Sequence, residues 1–266
     1  MATRKFLSPR SERYVILGVL LALAALAWAL VIGQALAMRD ASSMPGSGVG
    51  AMGLTMGMGA VLFLAIWVAM MVAMMFPSAA PMVLMFSAIA AGKRQRGQSF
   101  APTWIFVAGY LIVWTLAGVA AYLAALGLDA LASRSMGLME NAGRFGGAVL
   151  VLAGLYQLSP LKNVCLAKCR TPTQFLMTSW RGGYGGALRM GIAHGVYCLG
   201  CCWLLFAILF PLGMMNVAAL ALLSALIFAE KVLPAGRVVG IIAGIALIAY
   251  GALVVIAPAM LPGTMA

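Results

Sequence analysis

All five cysteines and the single histidine of this 266-residue chain fall between residues 165 and 202. Cys165 and Cys169 are spaced i, i+4, and His194, Cys198, Cys201 and Cys202 follow one another at i, i+4, i+7 and i+8. On a helix those offsets make one stripe, so His194, Cys198 and either Cys201 or Cys202 can face one point. Thiolate and imidazole together suit soft or borderline metals such as copper(I) and zinc(II). A single buried cysteine is usually a small hydrophobe. Here the entire cysteine complement shares one short stretch with the only histidine, and that argues for metal or thiol chemistry.

Methionine tilts the choice toward copper(I). Of 20 methionines, Met70, Met71, Met74 and Met75 form two i, i+4 pairs in one apolar run, and Met82 and Met85 follow. Met44, Met52, Met56, Met58, Met136, Met139, Met214, Met215, Met260 and Met265 fall at the opposite side of the expected membrane from Cys165 and Cys169. Thioether is a neutral soft donor that favours copper(I) over zinc(II). It forms no disulfide, which suits an oxidising compartment, whereas thiolates suit a reducing cytoplasm. A gradient from methionine outside to cysteine and histidine inside is what a copper(I) path needs. Zinc remains the alternative metal for the Cys/His set.

The elements that must position these residues are membrane helices. The chain is 65% hydrophobic and 8% charged, with a mean hydropathy of +1.08, against about 25% charged residues in an average soluble protein. That composition excludes a disordered chain, a nucleic-acid-binding domain and an ordinary soluble enzyme. Spanning the hydrocarbon core takes about 20 apolar residues. Seven runs qualify: Tyr14–Met38, Ala60–Ala91, Thr103–Leu128, Gly143–Leu161, Leu188–Phe210, Met214–Phe228 and Val238–Ala257. The expected fold is all-α and polytopic, about seven transmembrane helices in one integral membrane domain over residues 1–266. Residues 1–13 form a basic cytoplasmic N-terminus, and residues 60–235 a core with the Met and Cys/His motifs.

The net charge of +12 is mostly an orientation signal. With the N-terminus inside and the C-terminus outside, Arg39, Arg134 and Arg144 alone of the 17 Lys+Arg fall outside, which follows the positive-inside rule. No nucleic-acid partner is needed to explain the charge; the implied partners are the lipid bilayer and a metal ion. Tyr14–Met38 exceeds the about 7–15 apolar residues of a signal sequence, so it is expected to remain as the first helix.

Four local features carry further expectations. Pro77 and Pro81 sit inside the second run and predict a kink or break near Phe76–Pro81. Lys162–Ala187 reads as the longest inner loop, with a Gly-rich stretch at Arg181–Gly186. Gly143/Gly147, Gly191/Gly195 and Gly240/Gly244 are GxxxG pairs that allow close helix approach. Glu230 beside Lys231 reads as a salt-bridged helix end, with orientation of His194 as the other role open to Glu230. There is no P-loop Gly-Lys-Ser/Thr, so no ATPase is encoded, and no carboxylate at the expected membrane centre to drive a proton pump.

Three motifs and one pair together resemble a known family: Met70-Met-Val-Ala-Met-Met-Phe-Pro-Ser-Ala-Ala-Pro-Met82, Tyr156-Gln-Leu-Ser-Pro-Leu-Lys-Asn-Val-Cys-Leu-Ala-Lys-Cys169, His194-Gly-Val-Tyr-Cys-Leu-Gly-Cys-Cys-Trp203 and Glu230-Lys231. The chain is similar, over roughly residues 60 to 235, to the bacterial domain-of-unknown-function family described as predicted metal-binding integral membrane proteins. The resemblance implies metal binding in a bacterial cytoplasmic (inner) membrane, with Cys165, Cys169, His194, Cys198, Cys201 and Cys202 carrying the motif. It implies no established substrate or mechanism.

The first reading is therefore a membrane protein that binds, moves or hands over copper(I), with a metallochaperone or a membrane complex as its protein partner. An enzyme reading, a membrane thiol–disulfide oxidoreductase, rests on Cys198-Leu-Gly-Cys201. A third is a non-catalytic helical subunit of a membrane complex.

Overall fold

The computed structural model describes residues 9–42, 53–55, 57–135, 137 and 141–261. Among these, the regular elements are all helical. In chain order they are α1 (Pro9–Ser42), α2 (Ala60–Gln95), α3 (Thr103–Ala132), α4 (Ala142–Leu158), α5 (Pro160–Arg170), α6 (Pro172–Ser179), α7 (Gly183–Ala207), the single turn α8 (Leu209–Leu212), α9 (Val217–Val232) and α10 (Gly236–Ile256). A short 3₁₀ turn follows at Pro258–Met260.

Five helices are long and apolar enough to cross a membrane: α1, α2, α3, α7 continued through α8, and α10. A sixth span results if α4 and α5, bent by 62° at Ser159, count as one. The seventh expected run corresponds to α9, whose 16 residues reach about 24 Å at 1.5 Å per residue, short of a core about 30 Å thick.

Burial is distributed unlike that of a water-soluble protein. Leu26, Leu30, Leu116, Leu123 and Ile242 stand exposed, whereas Gln157, Lys162, His194, Glu230 and Lys231 are buried. Aliphatic side chains thus cover the outside as well as the core, and a few polar ones, Gln157, Lys162 and Glu230 among them, pair inside it.

Of the kink or break expected near Phe76–Pro81, the break is absent: α2 is one continuous helix through Pro77 and Pro81. Each proline removes one backbone donor, but ending a helix inside an apolar bundle would strand several more. The Ser78 hydroxyl, between the two prolines, donates to the Met75 carbonyl at 3.0 Å.

The expected inner loop Lys162–Ala187 is also corrected, since most of it is helical. Ser159 caps α5 by accepting from the Lys162 amide at 3.2 Å, and Pro160 stands in its first turn. Pro172 starts α6 the same way. Proline at a helix start loses nothing, because that amide has no intrahelical partner.

Glycine permits the closest helix pairs. α4 lies against α10, and a Cβ on Gly251 would sit 2.7 Å from the Val151 amide nitrogen. α3 lies against α7, where a Cβ on Gly191 would fall 3.2 Å from Gly109 Cα. α5 folds back along α7, and α9 bridges α2 and α10. These contacts bring α2, α3, α5, α7 and α9 around one buried centre.

Candidate metal centre

Cys198 lies at the middle of that centre and is 1% exposed. Its Sγ is 3.0 Å from the Tyr110 hydroxyl on α3, 3.0 Å from Lys231 Nζ on α9 and 4.0 Å from Met75 Sδ on α2. Lys231 Nζ is in turn 3.7 Å from Met75 Sδ. Helices far apart in sequence thus deliver a thiol, a thioether, a phenol and an ammonium to one place.

The other cysteines surround it. Cys201 and Cys202, one turn further along α7, turn their thiols back onto the Cys198 carbonyl at 3.1 Å and 2.7 Å. Cys169, from α5, is half-buried and packs against the same core. Cys201 and Cys202, the two candidates left open by helical spacing, are both buried beside Cys198. Cys165 stands further out, with its Sγ 2.9 Å from the position of a Cβ on Gly200. The absence of a Cβ there lets α5 approach α7.

His194 shares the face of Cys198 one turn earlier, but it occupies an aromatic box. Its ring stacks on Tyr110 and Phe106, with centroids 5.5 Å and 5.9 Å away, and Phe175 lies tilted at 5.8 Å. Both ring nitrogens are buried, and among the described residues neither has a hydrogen-bond partner. A buried polar atom left unsatisfied costs about 1–3 kcal/mol. The cavity beside it is lined by Phe76, Ala79, Val83, Phe106, Tyr110 and His194, with Leu20 and Val107.

Among the methionines, Met75 reaches the cysteine cluster. Met70, Met71 and Met74 are buried in the same core. Met214 is buried, Met58 and Met215 pack against the core and Met260 is exposed. Met44, Met52, Met56, Met136, Met139 and Met265 lie outside the described residues. Among the described residues, no three His, Cys, Asp or Glu side chains already close on one point as a coordination shell. Sulfur donors are gathered, with the Cys201 and Cys202 thiols turned to the Cys198 carbonyl.

Glu230 does not touch His194. It is 2% exposed, ion-pairs with Lys162 at 2.6 Å and accepts a hydrogen bond from Gln157. Lys162 also donates to Gln157. Arg170 donates to the carbonyls of Glu230, Leu233 and Pro234 at 3.2, 2.8 and 3.2 Å, capping the end of α9 from α5. Glu230 and Lys231 are therefore not partners. Neighbours on a helix point about 100° apart, so Glu230 serves one polar centre and Lys231 the other.

Spacing alone does not reveal Tyr110 or Lys231 as neighbours of the thiols. The available signal was the Glu230-Lys231 pair itself. Two charges side by side at the end of an apolar helix need separate partners, and the cluster of thiols is a natural destination for the cation.

A family model described as PpoB2, copper chaperone, matches residues 64–254. The matched segment includes α3 through α9, most of α2 and α10, and every side chain of the centre. No curated protein and no solved structure matches the chain.

Proposed function

From a chain that belongs to the PpoB2 copper chaperone family, we propose a multi-pass membrane protein that binds copper(I) through sulfur and passes it to a partner. Copper is the cargo. The observation that carries the reading is the meeting of Cys198, Cys201 and Cys202 on α7 with Met75 on α2 in a buried centre, with Cys169 of α5 packed against the same core. Thiolate and thioether together favour copper(I), and the apolar surroundings exclude water and oxidants.

Each residue takes a part in this reading. Cys198 is the anchoring ligand. Cys169, Cys201 and Cys202 supply the second thiol, and Met75 the thioether. Met71 stands one turn before Met75 on α2, and Met70 one turn before Met74; they extend the thioether path away from the thiols. Cys165 is the outermost thiol and the hand-over point on the cytoplasmic side. His194, with two free ring nitrogens, receives the ion one turn along α7. The partner is a metallochaperone or a membrane complex.

The exposed aliphatic surface and the long apolar helices support placement in a bacterial cytoplasmic membrane. The N-terminus lies inside and the C-terminus outside, with α9 as a short seventh crossing shielded by α2 and α10. Basic side chains then gather at the cytoplasmic face, as the positive-inside rule requires.

Elemental analysis tests the reading. Protein loaded with copper(I) under reducing conditions and desalted is expected to retain stoichiometric copper, and the Cys198→Ser, Cys201→Ser double variant to lose it. Wild-type protein that comes through desalting without copper refutes the reading, and retention of zinc instead corrects the metal.

A further inference from the structure

Lys231 poses a question that copper binding alone does not answer. It is a lysine 8% exposed, and its Nζ contacts sulfur: Cys198 Sγ at 3.0 Å and Met75 Sδ at 3.7 Å. The nearest carboxylate in sequence, Glu230, is taken by Lys162 and Gln157. The contacts of Lys231 are therefore with sulfur rather than with a carboxylate, and a neutral thiol balances no charge; the ammonium gains a counter-ion when a thiol gives up its proton. Displacing the ammonium from that thiolate would leave a cation unpaired in an apolar core, which is strongly unfavourable.

We propose that Lys231 stays in place on copper loading and acts as the fixed counter-charge of the copper–thiolate centre. This inference rests on the copper reading above. The balance is simple. Thiols give up their protons when they bind a metal, so two thiolates and one copper(I) sum to a charge of minus one. The Lys231 ammonium, in contact with Cys198, brings the whole to zero, and a neutral centre can exist inside an apolar bundle. A soft divalent ion such as mercury(II) is already neutral with two thiolates and needs no such lysine. Lys231 is thus a specificity-determining residue for a monovalent soft cation. It acts through charge at Cys198 Sγ and need not coordinate the metal.

The experiment compares wild type, Lys231→Leu and Lys231→Arg for copper(I) affinity, by competition with a chromophoric copper(I) chelator, and for mercury(II) affinity by competition with a small thiol. Leucine removes the charge without adding a sulfur donor beside Cys198. At contact distance the lost attraction is large in a medium of intermediate dielectric. Lys231→Leu is therefore expected to weaken copper(I) binding at least about tenfold and to leave mercury(II) binding within about threefold of wild type. Lys231→Arg keeps the charge and is expected to recover most of the copper(I) affinity. Equal loss of both metals in Lys231→Leu would mean that the lysine only holds the fold, and overturns the inference. So does copper(I) binding by Lys231→Leu as tight as wild type. Wild-type protein that takes up no copper(I) overturns the copper reading itself, and the inference with it.

Discussion

Removal of one partner from the Lys162–Glu230 pair is the most direct test of how this centre is held. Both side chains are 2% exposed and their charged atoms are 2.6 Å apart. Lys162→Met leaves the Glu230 carboxylate with Gln157 as its remaining side-chain donor. Glu230→Gln leaves the Lys162 ammonium facing amides. Breaking a buried pair from one side costs about 3–5 kcal/mol, which is roughly two to nearly four powers of ten in the ratio of folded to unfolded protein. Replacing both partners together removes both charges, and such exchanges are often close to neutral. The double variant is therefore expected to be more stable than either single one, with a coupling of about 3 kcal/mol or more in the double-mutant cycle. Unfolding in detergent titrated with sodium dodecyl sulfate, followed by helical circular dichroism, reads each stability. The pair also fixes the end of α9, and so sets Lys231 on Cys198. Copper(I) affinity is expected to fall in the single variants and recover in the double. Single variants within about 1 kcal/mol of wild type, or a double variant whose loss is the sum of the two, refute the reasoning.

Met75→Leu conserves volume and is expected to cost less than about 1.5 kcal/mol in stability. It removes a soft donor 4.0 Å from Cys198 Sγ, so chelator competition should show weaker copper(I) binding, which Met85→Leu should not. His194→Phe replaces an imidazole with two unpartnered buried nitrogens by a ring that suits its aromatic box. Stability is expected to rise by about 1–3 kcal/mol in the same detergent titration while copper(I) retention falls; a drop in stability would show that the nitrogens have partners. Gly251→Ala forces a Cβ to 2.7 Å from the Val151 amide nitrogen and should cost about 1–3 kcal/mol as overpacking. Gly33→Ala in α1 meets nothing within 4 Å and should stabilise by somewhat under 1 kcal/mol through helix propensity.

Several features were legible from residue order because their causes are local. Long apolar runs specify helices, and helical spacing set His194, Cys198 and either Cys201 or Cys202 on one face of α7. The two places where sequence reading failed are also local in origin. Lys162, Lys168 and Arg170 made α5 look like a loop, yet the Ser159 cap and Pro160 were its start signal. Pro77 and Pro81 suggested a kink or a break, and the break is absent because stranding backbone groups in an apolar interior costs more than two missing donors.

The residues themselves therefore determined an apolar, helical, sulfur-rich protein with its thiols clustered on neighbouring segments. The tertiary structure alone decided what those thiols meet. Tyr110 is 88 positions from Cys198, Met75 is 123 away and Lys231 is 33 away. No periodicity reaches across such separations. They are closed by glycine-lined contact of α3 with α7, by the return of α5 along α7, and by the Lys162–Glu230 pair with Arg170 at the end of α9. The direction in which Lys231 points, onto Cys198 and Met75, follows from how the helices pack.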